Sequence, residues 1–337
     1  MAESQVPSTA LQQRILYEME KAYKAAIWVL PDDYLSREAF ERALTRLELS
    51  SSPGWPYMTE APTNRDWLQT KGIEHSPFRV ERLWHDVQLV FADRWDHVLR
   101  VFIKQEPHKE SKVLSNRWRL IMAASLPVQI AWHMLFDYGN DTEIDRAFDI
   151  PSQQGIKLPA GEWKRYVRLW KSRGYDCGID KSAWDWTAPS WALELDLELR
   201  FRLGRGARMT QWRKAADLLW KYMFRESVLL MPTGHLYKQV VPGIMKSGCV
   251  NTISSNSHMQ AMMHIVSALE LGQPIQPLPV CCGDDTLQRA CQVSDLSVYE
   301  KYGVVVKSVT PGLEFVGHEF GDQGPQPLYF PKHISSF

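Results

Sequence analysis

The sequence predicts an α+β fold. Long apolar-periodic helices separate short strands, and a tight antiparallel hairpin lies at the centre of the strand-rich C-terminal part, an order unlike the regular alternation of a doubly wound sheet. The hairpin is read from Leu278-Pro-Val-Cys-Cys282 and Thr286-Leu287, apolar flanks around Gly283-Asp284-Asp285.

In chain order, Leu11 to Leu30 has helical apolar spacing through Ile15, Met19, Tyr23 and Ala26, and stops at Pro31. Ser36 to Leu47 reads as a second helix, and Ser51-Ser-Pro-Gly-Trp-Pro-Tyr57 as a breaker-rich loop. Phe78 to Trp95 is an amphipathic helix. Tyr175 to Asp180 is a short buried strand ending on a carboxylate, and Trp191 to Leu203 and Trp212 to Phe224 are helical. The loop Pro242 to Gly248 precedes a long helix, Thr252 to Leu271. Asp295 to Tyr302 is a short helix, Val304 to Val309 a β-branched strand, and Leu313 to Phe320 a hairpin strand.

The 337 residues suffice for a large core and one to three subdomains. Lys and Arg number 39 against 39 Asp and Glu, which excludes a bulk polyanion-binding composition. Charge is unevenly placed, however. Val101 to Leu120 carries five bases against two acids, Lys164 to Arg173 five and Arg200 to Lys214 six with no acid. Each run alone reads as a solvated face; three beside a carboxylate site suggest a polyanion channel. Five cysteines, none in CxxC spacing, argue against a disulfide framework or structural zinc. The polar N-terminus does not resemble a signal peptide, and no apolar run reaches the length of a membrane span. The 14 tryptophans read mainly as packing residues, some of which could stack on bases.

Two adjacent carboxylates repel unless a cation compensates. Gly-Asp-Asp alone is weak, arising by chance in roughly one chain of this length in ten to twenty. Its weight comes from partners. Asp180-Lys-Ser-Ala-Trp-Asp185 puts one carboxylate at a strand end and a second in the following turn. Asp180 with Asp284 could bridge two metal ions about 3.5–4 Å apart, the arrangement for in-line phosphoryl transfer; singly, each reads as a turn aspartate. Thr252 and Asn256 share one face of a helix start. They read either as polar first-turn residues or as a sensor, since an Asn amide both donates to and accepts from a ribose hydroxyl.

In order, these blocks resemble those of viral RNA-dependent RNA polymerases. Asp180…Asp185, Ser247-Gly…Thr252…Asn256 and Gly283-Asp-Asp285 look like the first three palm blocks. Tyr302-Gly-Val-Val-Val-Lys307 and Leu313-Glu-Phe-Val-Gly317 are similar to the fourth and fifth. Phe102-Ile-Lys-Gln-Glu-Pro-His-Lys109 through Arg117-Trp-Arg-Leu-Ile121 resembles the basic fingers block, and residues 51–57 the template-entrance loop. The wording is nearest the sobemovirus, polerovirus and barnavirus group, and the resemblance covers about Ser51 to Phe320.

The resemblance implies a right-hand polymerase fold. Residues 1–173 would hold the N-terminal segment and fingers, with the template loop at 51–57 and the nucleotide-channel block at 101–121. Palm would follow at 174–200 and 246–320, a fingers insertion at 201–245, and a residual or truncated thumb at 321–337. It implies RNA synthesis by two-metal nucleotidyl transfer from NTPs to an RNA 3′-end, with two Mg2+ ions held by Asp180, Asp284 and Asp285, and Mn2+ able to replace them. Asp185 and Asn256 would read the ribose 2′-hydroxyl, with Thr252 on the same helix face; Ser247 and Gly248 would flank the nascent base pair. Lys104, Arg117 and Arg119 would meet phosphate oxygens. The two arginines could exchange roles, although Arg119-Leu-Ile121 matches better. Lys307 would protonate pyrophosphate or be a solvated strand-end lysine. Ser52, Gly54 and Trp55 would line the template path.

Implied partners are RNA template and primer, NTPs, a genome-linked protein primer and other viral replication proteins. The last would bring the chain to membrane-associated complexes in the host cytoplasm. Three rivals stand beside this reading. Asn256 with Asp185 argues against a reverse transcriptase, and a metal-dependent nuclease needs no ribose sensor. A non-catalytic RNA-binding core would tolerate loss of Asp284.

Overall fold

The structure, a computed structural model, describes residues 4–104, 110–111 and 118–328. Helices α1 (Thr9–Ala22), α2 (Arg37–Leu44) and α3 (Pro77–Phe91) precede strands β1 (Leu99–Ile103) and β2 (Leu120–Ala123). Helices α4 (Leu126–Asp145) and α5 (Trp163–Ser172) lead to strand β3 (Cys177–Lys181). Then come α6 (Ser190–Leu203), α7 (Met209–Trp220), β4 (Val228–Leu230), β5 (Leu236–Lys238) and the long α8 (Thr252–Leu271). The remainder is mostly strand: β6 (Val280–Cys282), β7 (Asp285–Gln288), β8 (Val306–Pro311), β9 (Glu314–Phe315), β10 (His318–Gly321) and β11 (Gly324–Pro327). Among the described residues no helix is long and apolar enough to cross a membrane.

The described residues form two compact units. One takes in 4–28, 139–204 and 253–328, the other the described residues of 29–138 and 205–252. Residues 139–173 and 4–28, grouped with the fingers from sequence, thus share a unit with β3. Packing explains it. Helix α1 lies on α6, and Trp170 of α5 meets Phe320 of β10 edge-on at 5.0 Å.

The first unit is built on an antiparallel sheet in the order β8-β3-β7-β6. Ile179 of β3 pairs with Val309 on one side and Thr286 on the other. Cys177 and Ile179 point into the core, as strand alternation requires. Helix α8 is buried on every side from Ser254 to Ala268, the signature of a central rather than a surface helix.

The second unit carries a sheet in the order β2-β1-β4-β5. Its aromatic core joins Trp132 and Phe136 of α4 to Trp212 and Trp220 of α7. Trp132 stacks on Trp220 at 5.5 Å, and Phe136 meets Trp212 at 5.7 Å. A neighbouring cluster unites Phe40, Trp67, Leu83 and Ile130.

Several elements differ from the sequence reading. The first helix ends at Ala22, eight positions before Leu30, because Trp28–Val29 turns extended and pairs with Gly204–Arg205. Tertiary pairing overrides local helical spacing there. Helix α4 was not anticipated: its first half, Leu126 to Phe136, is apolar on nearly every side and its second half mostly polar, so no single stripe marks it. The basic run 164–173 is helix α5, with Tyr166, Val167 and Trp170 inward and its charges outward. That is the solvated-face reading. In the run 200–214, Arg200 is buried in an ion pair with Asp196 and does not line a channel.

Candidate active site

Strands β6 and β7 close on Gly283 and Asp284, a two-residue turn between the paired Cys282 and Asp285. Gly283 has φ +63°, the conformation that the first position of such a turn demands and that glycine adopts without strain. The turn does not float. The Gly283 N–H donates to Ser257 Oγ of α8 at 2.9 Å, and Ser257 Oγ donates to the Ile253 carbonyl at 2.8 Å. Asp180 follows Ile179, whose partner is Thr286, so the end of β3 comes up beside the base of the turn.

Below these carboxylates Lys181 is fully buried and donates to Thr286 Oγ1 at 3.1 Å, bolting β3 to β7. Burial pushes its ammonium down to about 8, against the pull of Cys281, Asp284, Asp285 and Asp180. Asp285 accepts from the Val316 N–H at 2.8 Å. Burial first, and then Asp284 and Asp180, push its carboxyl up to about 6. Val316 sits at φ +53°, a region costly for a β-branched residue. Lys307, on β8, reaches Asp180 at 4.0 Å, and both are exposed.

After β3 the chain reverses at Ala183, held at φ +48°, into the one-turn helix Trp184–Thr187. This presents Asp185 to α8, where Asn256 Nδ2 donates to Asp185 Oδ1 at 3.0 Å. Trp184 Nε1 donates to Asn256 Oδ1 at 2.9 Å. An indole N–H is a donor only, so this bond fixes which way the amide faces. Asp180, Asp284, Asp285, Asp185, Asn256 and Lys307 all belong to the first unit.

The second unit brings together another group. The Lys104 N–H donates to the Arg119 carbonyl at 2.8 Å, next to the β1–β2 ladder. Ser247 Oγ donates to the Leu120 carbonyl at 2.7 Å. Gly248 lies so close to β2 that a Cβ would meet the Met122 carbonyl oxygen at 2.4 Å. Thr252 Oγ1 donates to the Cys249 carbonyl at 2.7 Å, closing the loop at the start of α8. Arg117 lies outside the described residues. Ser52 is buried, and its Oγ accepts from Arg100 at 2.9 Å and from the Gly54 N–H at 3.2 Å. Trp55 is half-buried in the same loop.

Ser257, Lys181 and Trp184 were not singled out from sequence. The available signal was position, since each adjoins a residue that was.

The donor set suits a hard divalent cation. Asp180, Asp284 and Asp285 are all carboxylates; burial first, and then Asp284 and Asp180, raise Asp285, and a cation would relieve the like-charge part of that rise. Among the described residues no group of three or more His, Cys, Asp or Glu is placed so that it could hold a metal ion. An ion completed by water and substrate phosphates needs fewer protein ligands.

Comparison with known proteins follows the same lines. A family model described as viral RNA-dependent RNA polymerase matches residues 24–307. Protein P1-P2 of potato leafroll virus is 30% identical over 94% of the chain and 32% of its own length. Replicase polyprotein P2AB of southern bean mosaic virus is 34% identical over 71% of the chain and 25% of its own length. The RNA-directed RNA polymerase of mushroom bacilliform virus is 34% identical over 67% of the chain and 54% of its own length. The chain therefore spans about a third of the first of these relatives and about half of the last. Among solved structures, a sicinivirus 3Dpol RNA-dependent RNA polymerase superposes with a TM-score of 0.71 at 16% identity, covering 96% of this chain and 71% of that one.

Proposed function

Because the chain belongs to the viral RNA-dependent RNA polymerase family, we propose that it carries out template-directed addition of ribonucleoside monophosphates to an RNA 3′-end, releasing pyrophosphate. One observation carries this reading. The turn bearing Asp284 is hydrogen-bonded to the helix bearing Asn256, which supports a site where that carboxylate would bind metal and that amide would read the ribose.

Asp180, Asp284 and Asp285 would hold divalent cations, two Mg2+ with Mn2+ as a substitute. When bound, such ions lower the pKa of the attacking hydroxyl and neutralise charge on the phosphates. Asp185 and Asn256 would bond the 2′-hydroxyl of the incoming nucleotide. A site built for a hydroxyl can reject its deoxy analogue by as much as about 10⁴–10⁵, and a shared, solvated ribose pocket by less. Lys307 would hand a proton to the departing pyrophosphate. Lys104, Arg117 and Arg119 would bind triphosphate oxygens, Ser247 and Gly248 would flank the nascent pair, and Ser52, Gly54 and Trp55 would lie along the template.

RNA template, primer and NTPs are the proposed substrates. A genome-linked protein primer and other viral replication proteins are proposed partners, the latter placing the chain at membrane-associated complexes in the host cytoplasm. The test is primer extension on a defined RNA template with ribonucleotides or deoxynucleotides. Template-matched ribonucleotide addition is expected. Preferential deoxynucleotide addition would favour a reverse transcriptase, and shortening of the primer a nuclease.

A further inference from the structure

Helix α8 carries a second set of polar contacts that the proposed chemistry does not use. His258 is fully buried, with Nδ1 on Asp196 of α6 and Nε2 on Glu143 of α4. Arg200 completes the cluster. It donates to Asp196 Oδ2 at 3.2 Å, Asn140 Oδ1 at 2.9 Å, and the hydroxyls of Ser254 at 2.7 Å and Ser255 at 3.1 Å. Ser255 Oγ also donates to Asp196 Oδ2 at 2.6 Å.

Ser254, Ser255 and His258 therefore fasten one side of the helix. Asn256 and Ser257, between them in sequence, make the bonds to Asp185 and Gly283. The cluster also reaches the other strand of the turn. The Tyr23 ring meets His258 edge-on at 4.9 Å, and its hydroxyl pairs with Ser152 Oγ at 2.6 Å. The segment holding Ser152 is hydrogen-bonded to Cys281, two residues before Gly283, on both sides: Cys281 N–H to Pro151 and Gln153 N–H to Cys281, each at 2.8 Å.

We propose that His258, clamped between Asp196 and Glu143, is a positioning residue that sets the rotation of α8 and so fixes Asn256 and Ser257 for ribose discrimination. Three arguments carry it. Buried ion pairs seldom add stability over an apolar core, and their best-attested use is to select one arrangement among several. Two carboxylates face two bases, so the cluster is neutral when the imidazole is protonated, and the carboxylates push His258 up to about 9 although burial alone would lower it. The lever is short. A helix rotation of about 10° moves a side-chain tip some 5 Å from the axis by about 1 Å, and a misplacement of about 1 Å can cost on the order of 10²-fold in rate.

The inference rests on the polymerase reading, and its test separates the two. His258→Gln removes the charge while keeping a polar side chain. Its first readout is the ratio of kcat/KM for a ribonucleotide against the matching deoxynucleotide, which does not depend on the fraction of folded enzyme. Its second is hydrogen exchange at the Gly283 amide, which needs no activity. At least tenfold loss of discrimination with faster Gly283 exchange is expected. Unchanged values in a folded variant overturn the proposal. If the single variant does not fold, the charge-balanced His258→Gln/Glu143→Gln pair is read in the same way. A wild-type chain that makes no RNA overturns the polymerase reading, and the ribose part with it; exchange at Gly283 then decides whether the clamp holds the turn.

Discussion

Gly283 and Ser257, 26 residues apart, are joined by one hydrogen bond of 2.9 Å from the turn amide to the helix hydroxyl. The Ser257 proton is already committed to the Ile253 carbonyl, so its lone pairs face the turn. Asp284 and Asn256 thus stand on two elements tied by this bond.

Ser257→Ala breaks this tie. The Gly283 N–H loses its partner, at a cost of about 1–3 kcal/mol. With Asp284 less well placed, kcat should fall more than KM changes. Steady-state extension kinetics and thermal unfolding check both effects. An unchanged kcat would mean that the turn holds its position without α8.

Asn256→Ala should reduce ribonucleotide-over-deoxynucleotide selection by at least about tenfold, since removing a paired polar partner costs on the order of 1–3 kcal/mol. Trp184→Phe is the subtler change. It keeps Asn256 but deletes the donor that orients the amide. A smaller loss of selection in the same direction is expected, measured by competing nucleotides in one extension reaction.

Asp285→Asn should make the metal-free protein more stable at neutral pH. The native carboxyl is raised from 3.8 to about 6, first by burial and then by Asp284 and Asp180. A raised carboxyl favours the native state while protonated, and that contribution disappears as pH climbs from about 4 through 6. Above pH 6 the neutral amide should gain about 1–2 kcal/mol, because a tenfold difference in proton affinity between the native and unfolded chains is worth about 1.4 kcal/mol. Below pH 4 the two proteins should converge. Thermal unfolding with a chelator from pH 4 to 8 reads this directly.

His258 gives stability the same pH direction over a different window. Its native value of about 9 lies above the ordinary 6.5, because Glu143 and Asp196 outweigh burial. Its contribution is fully present below pH 6.5 and is lost as pH rises through 9. Denaturant unfolding should weaken across that interval in the wild type, and His258→Gln should flatten the slope.

Gly248→Ala should destabilise by about 2 kcal/mol or more, because the added Cβ would run into the Met122 carbonyl and the backbone of β2. A full-activity, fully stable variant would mean that the loop can lift from β2 at little cost.

Much of this arrangement was readable in advance, for a reason particular residues show. Helix α8 matched its expected limits, Thr252 to Leu271, because glycine-bearing loops bound it on both sides. The hairpin at Gly283 announced itself through glycine and flanking apolar pairs. Asp185 and Asn256 were read as acting on one hydroxyl, and the fold brings them within 3.0 Å. What escaped were residues whose meaning depends on distant partners. Lys181 resembles any strand-end lysine until Thr286 is seen against it. Arg200 read as part of a basic run, yet Asp196 one turn earlier was already its partner. Helix α4 hid because its first half is apolar and buried almost all round while its second half is mostly polar, so no one stripe runs along it.

The most direct test is single-turnover extension of an RNA primer by the wild-type chain and by Asp284→Ala, with RNA affinity measured in parallel. Template-matched extension by the wild type, lost in the variant at equal RNA affinity, is the expected result. Equal extension by both proteins would contradict the assignment of catalysis to the Gly283–Asp285 turn.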